Sequence, residues 1–99
     1  MQNYHSEELD NLIRVITAIQ TEEDCLAFLE DLCTIKELQD MAQRFETAIL
    51  LDAGKNYQEI ASSVGISTAT ISRVSRCLNY GSGGYRTAIS CFKKAEKKQ

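Results

Sequence analysis

Residues 57–76, YQEIASSVGISTATISRVSR, read as two short helices meeting at Gly65. Ile60, Val64, Ile66, Ile71 and Val74 fall where two crossed helices need buried side chains, and Ala61 is small where they pass closest. Gly65 supplies the left-handed turn that a Cβ resists. On the second helix this leaves Ser67, Thr68, Ala69, Ser72, Arg73 and Arg76 exposed. The pattern is that of a helix-turn-helix, a unit suited to laying its second helix in the major groove of DNA.

The flanks continue the helical spacing in both directions. Asn56, with Glu59 three residues on, caps the first motif helix, which is expected over about Tyr57 to Val64. Ser67 or Thr68 caps the second, expected to run to about Leu78. Upstream, Thr34-Ile-Lys-Glu37 is a capping box opening a helix with Leu38, Met41, Ala42, Phe45, Ala48, Ile49 and Leu51 on its apolar face, and Gly54 ends it. Thr21 starts an earlier helix with Cys25, Phe28, Leu29 and Leu32 inward. Ser6 or a neighbour starts the first, with Leu9, Leu12, Ile13, Ile16 and Ile19 on one face. Downstream, NYGSGG (79–84) reads as a loop, and Tyr85 to about Lys97 as a last helix with Ala88, Ile89 and Phe92 inward. The sum is an all-α chain of six helices with no convincing strand.

At 99 residues the chain is expected to form one domain, 1–99, with N-terminal dimerisation helices (1–54), the helix-turn-helix (55–78), and a loop with a C-terminal helix (79–99). The first three helices carry broader apolar faces than a compact motif needs. A homodimer through these helices satisfies them and presents two reading helices with two-fold symmetry.

The net charge of −3 suits a DNA-binding protein only once it is divided along the chain. Residues 1–42 hold ten acids against Arg14 and Lys36, a balance of −8; residues 43–99 hold four acids against nine bases, a balance of +5. The basic half contains the motif, so it can sit on phosphate while the acidic half faces away. Cys25, Cys33, Cys77 and Cys91 form no C-x-x-C pair and the one histidine is His5, so no metal is expected. The thiols are expected to be reduced and packed as small hydrophobes. Polar first residues and the lack of a bilayer-length apolar run imply no membrane and a cytoplasmic protein, associated with the bacterial nucleoid when bound to DNA. No base-partnered nucleophile, paired carboxylates or P-loop appears, so no enzyme is expected. A protein-interaction module docking through the acidic half is the alternative to DNA binding.

Residues 32–81, LCTIKELQDMAQRFETAILLDAGKNYQEIASSVGISTATISRVSRCLNYG, resemble the tryptophan-repressor family, and more closely its YerC/YecD branch. The resemblance covers nearly the whole chain. ATISRVSRCLNYG (69–81) and the spacing from DLCT (31–34) to AQR (42–44) are its most specific parts. It implies a six-helix Trp-repressor-like fold, an intertwined homodimer and a sequence-specific transcription regulator, a repressor, on double-stranded DNA. Carried over by position, the base-proximal residues are Thr68, Ala69, Thr70 and Ser72, with Gln58 or Glu59 at a further DNA-facing place. Charge and geometry add Lys55, Arg76 and the amides at the start of the last helix as phosphate anchors, and Arg73 as a contact to phosphate or guanine.

In the family, tryptophan stacks between two arginines, whose positions match Arg44 and Arg73; Thr34 matches a third pocket residue. Val74 stands where the family's pocket floor has glycine, and Asp31 and Cys33 replace apolar pocket residues. The alignment also requires a one-residue deletion at the motif's turn. These departures argue against a tryptophan switch, so no cofactor is expected; a different small effector stays open.

Overall fold

Short polar side chains start the helices by taking up amides that have no partner inside the helix. A computed structural model describes residues 5–97. Helix α1 (Glu7–Ala18) begins at Ser6, whose hydroxyl accepts from the Leu9 amide at 3.1 Å, and α2 (Glu22–Leu32) at Thr21, which accepts from Asp24 at 3.1 Å. Three acids in each first turn lie against the positive end of the helix. Helix α3 (Ile35–Asp52) opens on a reciprocal box: Thr34 Oγ1 accepts from the Glu37 amide at 3.1 Å, and Glu37 Oε1 from the Thr34 amide at 2.8 Å. It closes in a Schellman turn, where Gly54 N–H donates to Leu51 O at 3.0 Å and Lys55 N–H to Leu50 O at 3.1 Å.

The motif departs from the expected pair of plain α-helices. Helix α4 (Tyr57–Ile60) is a single turn, and residues Ala61–Gly65 continue it as a wider π turn instead of α-helix to Val64. Gln43 on α3 donates its side-chain amide to the Val64 carbonyl at 3.4 Å, giving a tertiary partner to one of the acceptors that a helix leaves open at its C-terminal end. Gly65 leaves the turn at φ +81°, as its place in the sequence requires. Helix α5 (Thr68–Tyr80) runs two residues past Leu78, and α6 (Gly84–Lys97) starts one residue before Tyr85, which shortens the connecting loop to 81–83. Asn79 sustains the extra turn by donating to Ser75 O at 3.0 Å.

At Gly81, the C-cap of α5, a glycine is required by space rather than by φ. Its amide donates to Cys77 O at 2.9 Å, and a Cβ there would press directly on that backbone carbonyl. Gly81→Ala is therefore expected to destabilise the chain by about 1–3 kcal/mol, the usual cost of forcing an atom into filled space. Chemical denaturation checks this, and an unchanged midpoint would mean that the turn opens freely.

The chain divides into two compact units, 1–38 and 39–99, with α3 passing from one to the other. In the N-terminal unit neither α1 nor α2 fully buries a residue. Of the faces expected to be apolar, Leu9, Leu12, Ile19, Cys25, Phe28 and Leu29 are half-buried, whereas Ile13, Ile16 and Leu32 are exposed, together with Leu26 and Ile35.

In the C-terminal unit α4 packs on α5, and α5 on α6. Ala48, Val74, Leu78 and Ile89 form the core, with Phe45, Ile49, Leu51 and Tyr85 against it. Phe45 and Phe92 meet edge to face, with ring centroids 6.2 Å apart. Ile60 and Ile71 are wholly enclosed. Thr47 is buried as well, and its hydroxyl donates to Gln43 O at 2.8 Å, so no polar atom is stranded there. The cysteines correct the sequence expectation: all four are free, but Cys77 and Cys91 are exposed and only Cys25 and Cys33 half-buried. Cys77 falls outside the 71/74/78 stripe that α5 buries, so helical spacing itself turns the thiol outward.

Candidate nucleic-acid interface

Lys55 is exposed in the turn between α3 and the motif. The next residue starts α4 with a complete capping box: Asn56 Oδ1 accepts from the Glu59 amide at 2.9 Å, and Glu59 Oε1 from the Asn56 amide at 3.3 Å. The two DNA-facing alternatives in α4 thus differ in their duties. The Glu59 carboxylate is committed to the cap, and Gln58 is exposed without such a task.

Ser67 caps α5, accepting from the Thr70 amide at 3.2 Å. Its hydroxyl also lies 3.1 Å from Thr70 Oγ1, which makes the two side chains one polar pair at the helix start. Ile71, Val74 and Leu78 anchor the inner stripe of α5. On the far side, Ala69, Arg73, Arg76 and Tyr80 follow the spacing i, i+4, i+7, i+11 and are all exposed; Thr68 is exposed beside them. Thr70 and Ser72 are half-buried on the flanks of this face, so Ser72 is less open than the sequence pattern suggested.

The cations divide into engaged and free. Arg86 and Lys93 pair with Asp52. Among the described residues, no hydrogen bond or ion pair involves the side chains of Lys55, Arg73, Arg76 or Arg44, and all four are exposed. Residues 39–99 hold nine bases and five acids, a balance of +4, against −7 for residues 1–38. Lys55, Arg73 and Arg76 therefore offer uncompensated charge to an anion, next to a helix start whose amides carry partial positive charge.

The residues matched to a tryptophan pocket fall in both units. Thr34 is the cap of α3 in the N-terminal unit, where its hydroxyl and amide are both held by Glu37. Arg44 on α3 and Arg73 on α5 belong to the C-terminal unit. Val74 is 2% exposed and packs in the core with Ala48, Leu78 and Ile89. Among the described residues no cluster of three or more His, Cys, Asp or Glu side chains could hold a metal, and no helix is long and apolar enough to cross a membrane.

Sequence reading missed Tyr80, 86% exposed at the end of the outward stripe, because it closed α5 at Leu78. The signal was present: Gly81, not Asn79, is the first residue that halts a helix, and Tyr80 lies four beyond Arg76.

Compared with known proteins, residues 7–93 match a family model described as Trp repressor protein. The Bacillus subtilis (strain 168) protein YerC, described as uncharacterized, is 48% identical over 89 residues, covering 90% of this chain and 86% of YerC. A crystal structure of a TrpR-like protein from Eubacterium eligens superposes with a TM-score of 0.85 at 39% identity, over 89% of this chain and 91% of that one. A solved structure from Staphylococcus aureus also gives a TM-score of 0.85, at 36% identity over 90% and 89% of the two chains. The all-α, six-helix fold expected from the sequence is the fold observed.

Proposed function

The chain belongs to the Trp repressor family, and from that membership we propose that it is a sequence-specific, DNA-binding transcription regulator acting as a homodimer. The observation that carries the reading is the outer face of α5. Thr68 and Ala69 present short side chains at the helix start, with Thr70 and Ser72 on its flanks, while unpaired Arg73 and Arg76 follow one and two turns later. Hydroxyls meet several base edges, and Ala69 or a threonine methyl fits against a thymine methyl. Lys55, Arg76 and the free arginine charge of Arg73 hold phosphate, which fixes register without reading sequence.

The dimer rests on the N-terminal unit. With no residue of α1 or α2 fully buried and Ile13, Ile16, Leu26 and Leu32 exposed, a second copy supplies the cover that the chain lacks. Two recognition helices then enter successive major grooves about 34–36 Å apart, the spacing common to helix-turn-helix dimers, Trp repressor included. Bound this way over a promoter, the dimer represses by excluding polymerase. Tryptophan is not part of the mechanism. The Val74 isopropyl group fills space that a glycine would leave open, and its packing with Ala48, Leu78 and Ile89 supports a motif held in place by the core itself.

Selection of bound duplexes from random DNA, run with and without tryptophan, tests the whole reading. A two-fold symmetric site enriched equally in both arms is the expected result. No enrichment would overturn DNA readout, and enrichment in the tryptophan arm alone would overturn the switch-free mechanism. Repeating the selection with Thr70→Ala is expected to relax discrimination at one base position by about tenfold, with general affinity little changed. Recovery of the wild-type site with undiminished discrimination would remove Thr70 from base readout and leave it as Ser67's partner in the cap.

A further inference from the structure

The two ends of the helix-turn-helix are tied to one side chain. Asp52, the last residue of α3, lies just before the turn that leads into the motif, and Asn79 is in the last turn of α5. Arg86, in the first turn of α6, donates from Nη1 to Asp52 Oδ1 at 2.8 Å and from Nη2 to Asn79 Oδ1 at 3.2 Å. Each partner is itself held. Asn79 Nδ2 donates to Ser75 O at 3.0 Å, which turns its Oδ1 toward the guanidinium, and Lys93 Nζ occupies Asp52 Oδ2 at 3.2 Å.

We infer that Arg86 is a positioning residue for DNA binding, its guanidinium fastening the start and the end of the motif to each other. The inference rests on the reading that α5 binds DNA. The core residues of α5 end at Leu78, so the direction of its last turn is left to polar contacts. With its side chain half exposed (51%), the Arg86–Asp52 pair adds little to stability in water. Its worth is geometric: a planar fork fixes two acceptors in one plane, whereas a lysine ammonium is a single point charge. Arg86 also differs from Arg73 and Arg76 in that both of its terminal nitrogens already donate to protein acceptors, which ties its guanidinium to the motif.

The test compares full-length wild type with Arg86→Lys, Arg86→Met and Asp52→Asn. The first readout needs no DNA: hydrogen exchange at the Lys55 and Gly81 amides, which close the turns at the two ends of the motif. Each Arg86 variant is expected to speed exchange at both amides by about tenfold, at a nearly unchanged melting temperature. The second readout is affinity for the selected duplex and for a scrambled one across a range of salt. Arg86→Lys, which keeps the charge but cannot span both partners, is expected to lose about five- to tenfold on the selected duplex. Scrambled-duplex affinity and the salt slope are expected to stay as in wild type. Combining Asp52→Asn with Arg86→Met should cost no more than either alone, because both cut the same link.

Wild-type affinity and exchange in Arg86→Lys would overturn the inference. So would a lower salt slope with equal losses on both duplexes, since Arg86 would then be a phosphate contact. A wild-type protein that binds no duplex would sink the DNA reading and this inference with it. Indifferent variants of a protein that does bind would sink the inference alone.

Discussion

Ile71→Ala is expected to destabilise the protein by about 3 kcal/mol, within the range for truncating an enclosed isoleucine. For a chain of this size that is a fall in melting temperature of roughly 15 °C. Ile71 is wholly buried on α5, on the side opposite the outward arginines, in the stripe that continues through Val74 and Leu78. Removing its outer carbons loses both the transfer of apolar surface from water and the contacts of the atoms around the gap. Close packing limits how far neighbours can move in to refill it. Ile71→Val should cost only about 1 kcal/mol, which separates cavity size from any general intolerance of the position. Thermal melts followed by circular dichroism measure both. A loss of only a degree or two for the alanine variant would show that the motif can collapse around the gap, against the packing described.

The largest effect on DNA is expected from Arg73→Glu combined with Arg76→Glu. Both side chains are exposed and without protein partners among the described residues, so reversal should change stability by less than about 0.5 kcal/mol. Binding is another matter. Two cations facing phosphate become two anions, and like charge across an interface costs several kcal/mol, so affinity for every duplex should fall about a hundredfold or more. The milder Arg76→Ala should weaken selected and scrambled duplexes alike and lower the slope of log affinity against log salt by about 0.9, the release of one condensed cation. Titrations at several salt concentrations decide the matter. An unchanged slope for Arg76→Ala would take Arg76 off the phosphate backbone, and a double variant that still binds tightly would move the interface away from α5.

The features legible in the sequence are those whose partners lie three or four residues apart. Ser6, Thr21, Thr34 with Glu37, Asn56 with Glu59, and Ser67 each bond within their own first turn, so composition and spacing are enough to find them. The inner stripe of α5 and the left-handed Gly65 were readable for the same reason. What escaped reading depends on distant chain. The Val64 carbonyl, near the end of the π turn at 61–65, is met by Gln43, a residue of another helix. The link from Arg86 to Asp52 joins positions 34 apart, and nothing in their spacing announces it. Cys77 read as a packed thiol from residue type, although its place between Val74 and Leu78 already turned it to solvent. Among the candidate residues, the exposure of Thr68, Arg73 and Arg76 is legible from helical spacing alone. The partial burial of Thr70 and Ser72 is not, because it depends on what packs beside the flanks of α5 rather than on the helix alone.

Ser67 and Gly81 together make α5 self-delimiting. The hydroxyl that begins the helix and the glycine that halts it both bond within four residues, and neither uses the outward side chains. Thr68, Ala69, Arg73 and Arg76 can therefore be rewritten without moving either boundary. The chemistry of the outward face is thereby uncoupled from how the helix is built. The outward positions 68, 69, 73 and 76 are open to substitution while Ile71, Val74 and Leu78 keep α5 seated on its core.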